Sequence, residues 1–187
     1  MSGRSGNLLL VLFLAGPSLG HGASVSVEVA RHDDSFDVAA SAEIECDQSH
    51  AWQILTDYDR LAEFIPGMAS SRVVSRSGNS VVIEQNGEAS LLFFRMPVKV
   101  KLAIDEFPPD RVESRAIEGN FKEMLGTYVL DSSGPRLRLY YSGRLTPDFN
   151  VPHLIGTLLM RNTIRKQFGA MVEEILKTSV APTQPYR

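Results

Sequence analysis

The chain has one cysteine, Cys46, among its 187 residues. A lone thiol cannot close an intrachain disulfide or build a cysteine-based metal site. By parity Cys46 falls on the apolar side of a strand, which suits a small core residue better than a nucleophile. Histidine is also scarce. His21, His32, His50 and His153 are scattered, with no His-x-x-x-His and no paired carboxylate spacing, so no metal is expected. There is no Gly-x-Ser-x-Gly elbow for a serine hydrolase and no glycine-rich loop to cradle phosphate, so no cofactor is expected either. Neither sign of charge dominates, and a net charge of −3 gives no electrostatic reason to expect nucleic acid. The apolar run Leu8–Leu14 is too short to span a bilayer and Pro17 ends it, so no stable membrane anchor is expected. Nothing in the sequence sets an oligomeric state.

What is present begins with a leader. Arg4 supplies a positive start, the apolar run follows, and small residues at Ser18, Gly20 and Gly22 offer cleavage sites after Gly20 or Gly22. Residues 1–22 therefore read as a signal peptide for export, with the periplasm the expected destination. Residues 23–35 read as an N-terminal tail, 36–178 as a single folded domain and 179–187 as a C-terminal tail.

Within the domain, period-two patterning predicts strands. Phe36, Val38, Ala40, Ala42, Ile44 and Cys46 alternate with mostly polar neighbours. Two short helical pieces follow, one capped by Asp47 or Ser49 and carrying Trp52 and Leu55, the other Leu61 to Phe64, stopped by Pro66 and Gly67. Strands then recur at short intervals, separated by Ser77-Gly78-Asn79, Phe107-Pro108-Pro109-Asp110, Gly119-Asn120 and Ser132-Ser133-Gly134-Pro135. The clearest strand carries Leu92, Phe94, Met96, Val98, Val100, Leu102 and Ile104 on even positions, against Arg95, Lys99, Lys101 and Asp105 on odd ones.

The chain closes on a long helix, Val151 to Thr178, about 40 Å at 1.5 Å per residue, with Asn150 the candidate cap and Pro152 in its first turn. Leu154, Leu158, Arg161, Arg165, Phe168, Val172 and Ile175 follow steps of four and three, which places them on one side. Two arginines thus interrupt an apolar seam. Either they snorkel to water from its edge, or one guanidinium enters a partly wet cavity and meets an acid or a ligand's polar end.

Strands run together and helices stand apart, which predicts an α+β fold: a curved antiparallel sheet of about seven strands, with the terminal helix across its concave, apolar face. The sheet offers more large apolar side chains than one helix covers, so a cavity is expected between them.

The segment Asp57-Tyr58-Asp59-Arg60-Leu61-Ala62-Glu63-Phe64-Ile65-Pro66-Gly67-Met68 resembles the polyketide cyclase/dehydrase-like (coenzyme Q-binding-protein-like) branch of the START-related helix-grip superfamily. Ser49 to Leu55 resembles that family's first helix and Asp148 to Pro152 its entry to the last, so the likeness spans residues 36–178. It implies a helix-grip fold with a hydrophobic-ligand cavity under the long helix. Members include lipid- and quinone-binding proteins and aromatic cyclases, and the family transfers no invariant catalytic set. The leader departs from its cytoplasmic members and argues against polyketide synthesis.

The preferred reading is an exported carrier of a hydrophobic small molecule, a lipid or isoprenoid-like compound. Its candidate lining is Phe64, Phe94, Met96, Val98, Val100, Leu102, Tyr128, Leu154 and Leu158, with Arg161 or Arg165 at a polar headgroup. Met96, Met124, Met160 and Met171 would suit an adaptable wall. One alternative is an enzyme on a hydrophobic substrate, cyclase, dehydratase or hydrolase, with Glu118 or Glu84 as acid/base beside Tyr128. Another is a protein-interaction module using the outer row Arg136, Arg138, Tyr140 and Arg144.

Overall fold

The computed structural model describes residues 23–91 and 94–179. The expected signal segment 1–22, Leu92 of the even-position row and the tail from 180 lie outside the described residues. The described elements are β1 (Val25–His32), β2 (Ser35–Ile44), α1 (Gln48–Leu55), a 3-10 turn (Tyr58–Arg60), α2 (Leu61–Phe64), β3 (Met68–Ser77), β4 (Ser80–Leu91), β5 (Phe94–Phe107), β6 (Arg111–Gly119), β7 (Phe121–Asp131), β8 (Leu137–Pro147) and α3 (His153–Ser179). They form one antiparallel sheet of eight strands in the order β1-β2-β8-β7-β6-β5-β4-β3. The α+β expectation holds, with one strand more than foreseen.

That strand is β1, and residues 23–35 are not a tail. Val27 and Val29 sit opposite Ala40 and Val38 of β2, and both are buried. The sheet alternates as the sequence suggests. Phe36, Val38, Ala40, Ala42 and Ile44 of β2 are buried, as are Val100, Leu102 and Ile104 of β5, while Lys99 faces outward. Burying each valine, leucine, isoleucine or phenylalanine among these contributes about 1.5–3 kcal/mol, so the inner face is a main source of the driving force for folding.

α3 crosses that face and touches β1, β2 and β4, gripping the sheet from both sides. It starts two residues later than expected. The Pro152 carbonyl accepts the Gly156 N–H at 2.9 Å, so Pro152 precedes the first turn and Asn150 is not the cap. The start of the helix is held from outside instead. Arg31 of β1 donates to the carbonyls of Val151 (3.2 Å) and Pro152 (3.3 Å), and its guanidinium lies 5.0 Å from the Phe36 ring centroid. Near the far end, His50 of α1 has Nε2 3.1 Å from the Ile175 carbonyl. α1 has Asp47 at its cap position without a side-chain cap bond; Gln48 anchors it by reaching Asp110 (2.8 Å) and the Leu130 carbonyl (3.1 Å).

Candidate functional site

Between the sheet and α3 lies a cavity of about 240 Å³. Its floor is the inner row of β5, Met96, Val98, Val100, Leu102 and Ile104, continued by Ile83 and Gln85 of β4 and Val112 and Ser114 of β6. Tyr128 of β7 and Tyr141 of β8 form the far floor, and Leu55, Tyr58, Leu61 and Ile65 form a side wall. Met96, Met124, Met160 and Met171 all line it, so each methionine proposed for an adaptable wall is in place. Phe64 packs against the core beside the lining, and the side chains of Phe94 and Leu154 lie outside the described residues.

The roof differs from the expected seam. Met160, Thr163, Ile164, Gln167, Phe168 and Met171 face the cavity, whereas Leu158 is 58% exposed and Arg161 and Arg165 point to water. Neither arginine is therefore available to a ligand headgroup in the cavity. Two rows run apart in the first half of α3 and merge in the second, and each residue step is about 100° around the helix. The row Met160, Ile164, Phe168, Met171, Ile175 runs unbroken by charge, so burying it leaves no guanidinium to desolvate. The two rows share Phe168 and Ile175, which is why the second half of the seam reads correctly.

The two glutamates of the enzymatic alternative are not inside. Glu84 is directed away from the row formed by Val81, Ile83 and Gln85, and receives a 2.8 Å bond from Arg72. Glu118 is 67% exposed and bonded to Lys101 at 2.7 Å. Its register explains the misreading: Lys101 pairs with Glu118 but Leu102 pairs with Ala116, so a bulge at Ile117 turns Glu118 to the outer face. The outer arginines are engaged too, Arg136 with Glu45, Arg138 with Glu43 and Arg144 with Asp37, so this row is neutralised by acids of its own chain.

One buried carboxylate was missed. Glu106, 7% exposed, extends the inner row of β5 one step beyond Ile104. It accepts from the Tyr58 hydroxyl at 3.0 Å and pairs with Arg76 at 2.9 Å. Burial and then the Glu106 charge push the Tyr58 phenol far above its ordinary range. The Tyr58 ring lines the cavity while its hydroxyl is held by Glu106, and Glu106 itself does not line it.

Tyr128 and Tyr141 face each other across β7 and β8 with ring centroids 4.7 Å apart. Burial, and then the neighbouring Tyr141, push the Tyr128 phenol well up; burial pushes Tyr141 to about 12. Tyr141 lies over the paired glycines Gly126 and Gly143. A Cβ on Gly143 would fall 2.6 Å from the Tyr141 hydroxyl, and one on Gly126 would fall 3.1 Å from it. Glu88, Gly67 and Gln167 line the rim of the cavity, and the Glu88 side chain there is 44% exposed. Gly67 adopts φ +80° there, its carbonyl accepts the Glu88 N–H at 2.7 Å, and Gln167 donates to the Pro66 carbonyl at 3.3 Å.

The family model described as polyketide cyclase / dehydrase and lipid transport matches residues 44–174. No curated protein matches the sequence. Among solved structures, the STAR-related lipid transfer protein of Xanthomonas axonopodis is similar at TM-score 0.64 and 12% identity, covering 82% of this chain and 98% of its own. The Zhui aromatase/cyclase of Streptomyces sp. R1128 is similar at TM-score 0.63 and 11% identity, covering 78% and 93%. A protein of Thermus thermophilus is similar at TM-score 0.62 and 20% identity, covering 76% and 99%. At these identities the likeness is one of fold: a START-like, helix-grip architecture.

Proposed function

Because the chain belongs to the polyketide cyclase / dehydrase and lipid transport family, we propose that it binds and carries a hydrophobic small molecule between the sheet and α3. The observation carrying this reading is the cavity itself: about 240 Å³, mostly apolar, with Glu88 at the rim as its one charged liner among the described residues. An engineered apolar cavity of about 150 Å³ holds benzene, so the space here suits a somewhat larger molecule or one segment of a lipid. Each buried CH₂ would contribute about 0.8 kcal/mol. The acid/base pairing required by the enzymatic alternative does not assemble, since Glu84 and Glu118 face away from Tyr128. Native mass spectrometry of protein gently purified from its host is expected to show a bound mass. A ligand at about a hundredfold excess over its Kd adds about 2.7 kcal/mol of stability, so its melting point should rise by several degrees. Empty protein whose melting no lipid shifts would overturn the reading.

The leader-like start, Arg4 before Leu8–Leu14, supports export as the setting for this activity. Fusing residues 1–30 to a reporter active only outside the cytoplasm should give signal, and silence would remove export from the proposal.

A further inference from the structure

We infer that the cavity selects an electrically neutral ligand bearing a hydrogen-bond-accepting carbonyl, held by the Tyr128 and Tyr141 hydroxyls. The inference rests on the cavity being a hydrophobic-ligand site and adds the chemistry of its polar end. Most other polar groups along the lining already have partners. Tyr58 donates to Glu106, Ser114 to the Gly126 carbonyl, Gln85 to Ser71 and Asn86 to Ser70. Gln167 donates to the Pro66 carbonyl at the rim. The Tyr128 and Tyr141 hydroxyls have no hydrogen-bond partner among the described residues, yet both tyrosines line the cavity. A hydroxyl in apolar surroundings gains by donating, and one carbonyl oxygen has lone pairs for two donors. Ring centroids 4.7 Å apart set the two phenols side by side on one wall of the cavity.

Charge decides the rest. No lysine, arginine or histidine lines the cavity among the described residues, and Arg161 and Arg165 face water. A carboxylate or phosphate buried there would lose its hydration without gaining a cation, since Arg95, the cation beside Glu88 at the rim, is not part of the lining. A buried cation fares no better inside, because Glu106 is already committed to Arg76 and Tyr58. A plain hydrocarbon would leave both phenols unpaired.

Three ligands of one shape separate these cases: methyl naphthyl ketone, ethylnaphthalene and naphthoate, each used at neutral pH to displace the neutral fluorophore N-phenylnaphthylamine. The ketone should displace it at concentrations about tenfold lower than the hydrocarbon, with naphthoate weakest. The double variant Tyr128→Phe, Tyr141→Phe keeps both rings and should bring the displacing concentrations of ketone and hydrocarbon level. Equal displacement of the wild type by ketone and hydrocarbon, the strongest displacement by naphthoate, or an unchanged preference in the double variant would each overturn the inference while leaving a hydrophobic-ligand site. Failure of the fluorophore to bind the wild type would overturn the cavity reading and this inference together.

Discussion

Glu106 is the residue whose removal separates structure from chemistry. Its carboxylate holds Tyr58 and Arg76 without touching the cavity. Glu106→Ala leaves the Tyr58 hydroxyl unpaired, and urea denaturation should show a loss of about 1–3 kcal/mol. Fluorophore binding by the folded variant should persist; its abolition would place Glu106 in the site after all. The tyrosines set an alkaline limit. Tyr141 is raised from 10.0 to about 12, and Tyr58 and Tyr128 are raised further. A raised folded-state value means full stability below the unfolded value and loss as pH climbs towards the folded one. Melting temperature should therefore fall from pH 10 to pH 12, and Tyr141→Phe should lessen that fall. Cys46, lifted to about 11 by burial and then by Asp47, should react slowly with iodoacetamide in folded protein and quickly in denaturant.

At the scale of elements, the grip of α3 depends on residues outside it. Arg31→Ala removes its bonds to the Val151 and Pro152 carbonyls and should cost about 1–2 kcal/mol, with faster amide exchange confined to the first turns of the helix. Gly67→Ala is expected to cost more. The position needs φ +80°, and a Cβ would fall 2.5 Å from the Glu88 carbonyl oxygen. Left-handed strain of about 1–2 kcal/mol adds to overpacking of about 1–3 kcal/mol, and a melting curve reads the sum.

How much of this was legible follows from the same elements. The row Met96 to Ile104 was plain because one strand kept one parity throughout, and it became the floor of the cavity. Glu106 lay on that same parity and could have been found by extending the row one step. β1 also carried its signal in Val25, Val27 and Val29, but too briefly to outweigh the polar residues after it. The outward turn of Glu118 was beyond reach, as was the choice between the two readings of Arg161 and Arg165, of which the snorkelling one holds. A bulge at Ile117 reverses parity without a mark in the sequence, and only the facing sheet chooses between two rows that merge along one helix.

For the molecule as a whole, binding and folding should be separable, because the cavity is space the fold does not need. Val98→Trp puts an indole into it from the floor, and should abolish fluorophore binding while far-ultraviolet dichroism stays that of the parent. Retained binding would locate the ligand elsewhere. The order of the sheet carries one more consequence. β1 and β3 stand at opposite ends of the ladder, unpaired with each other, and α3 reaches from β1 to β4. A closed barrel has a girth set by its strand count and stagger; an unclosed one does not. Guests of different bulk can then be admitted by letting the two margins drift apart, with every rung of the ladder intact.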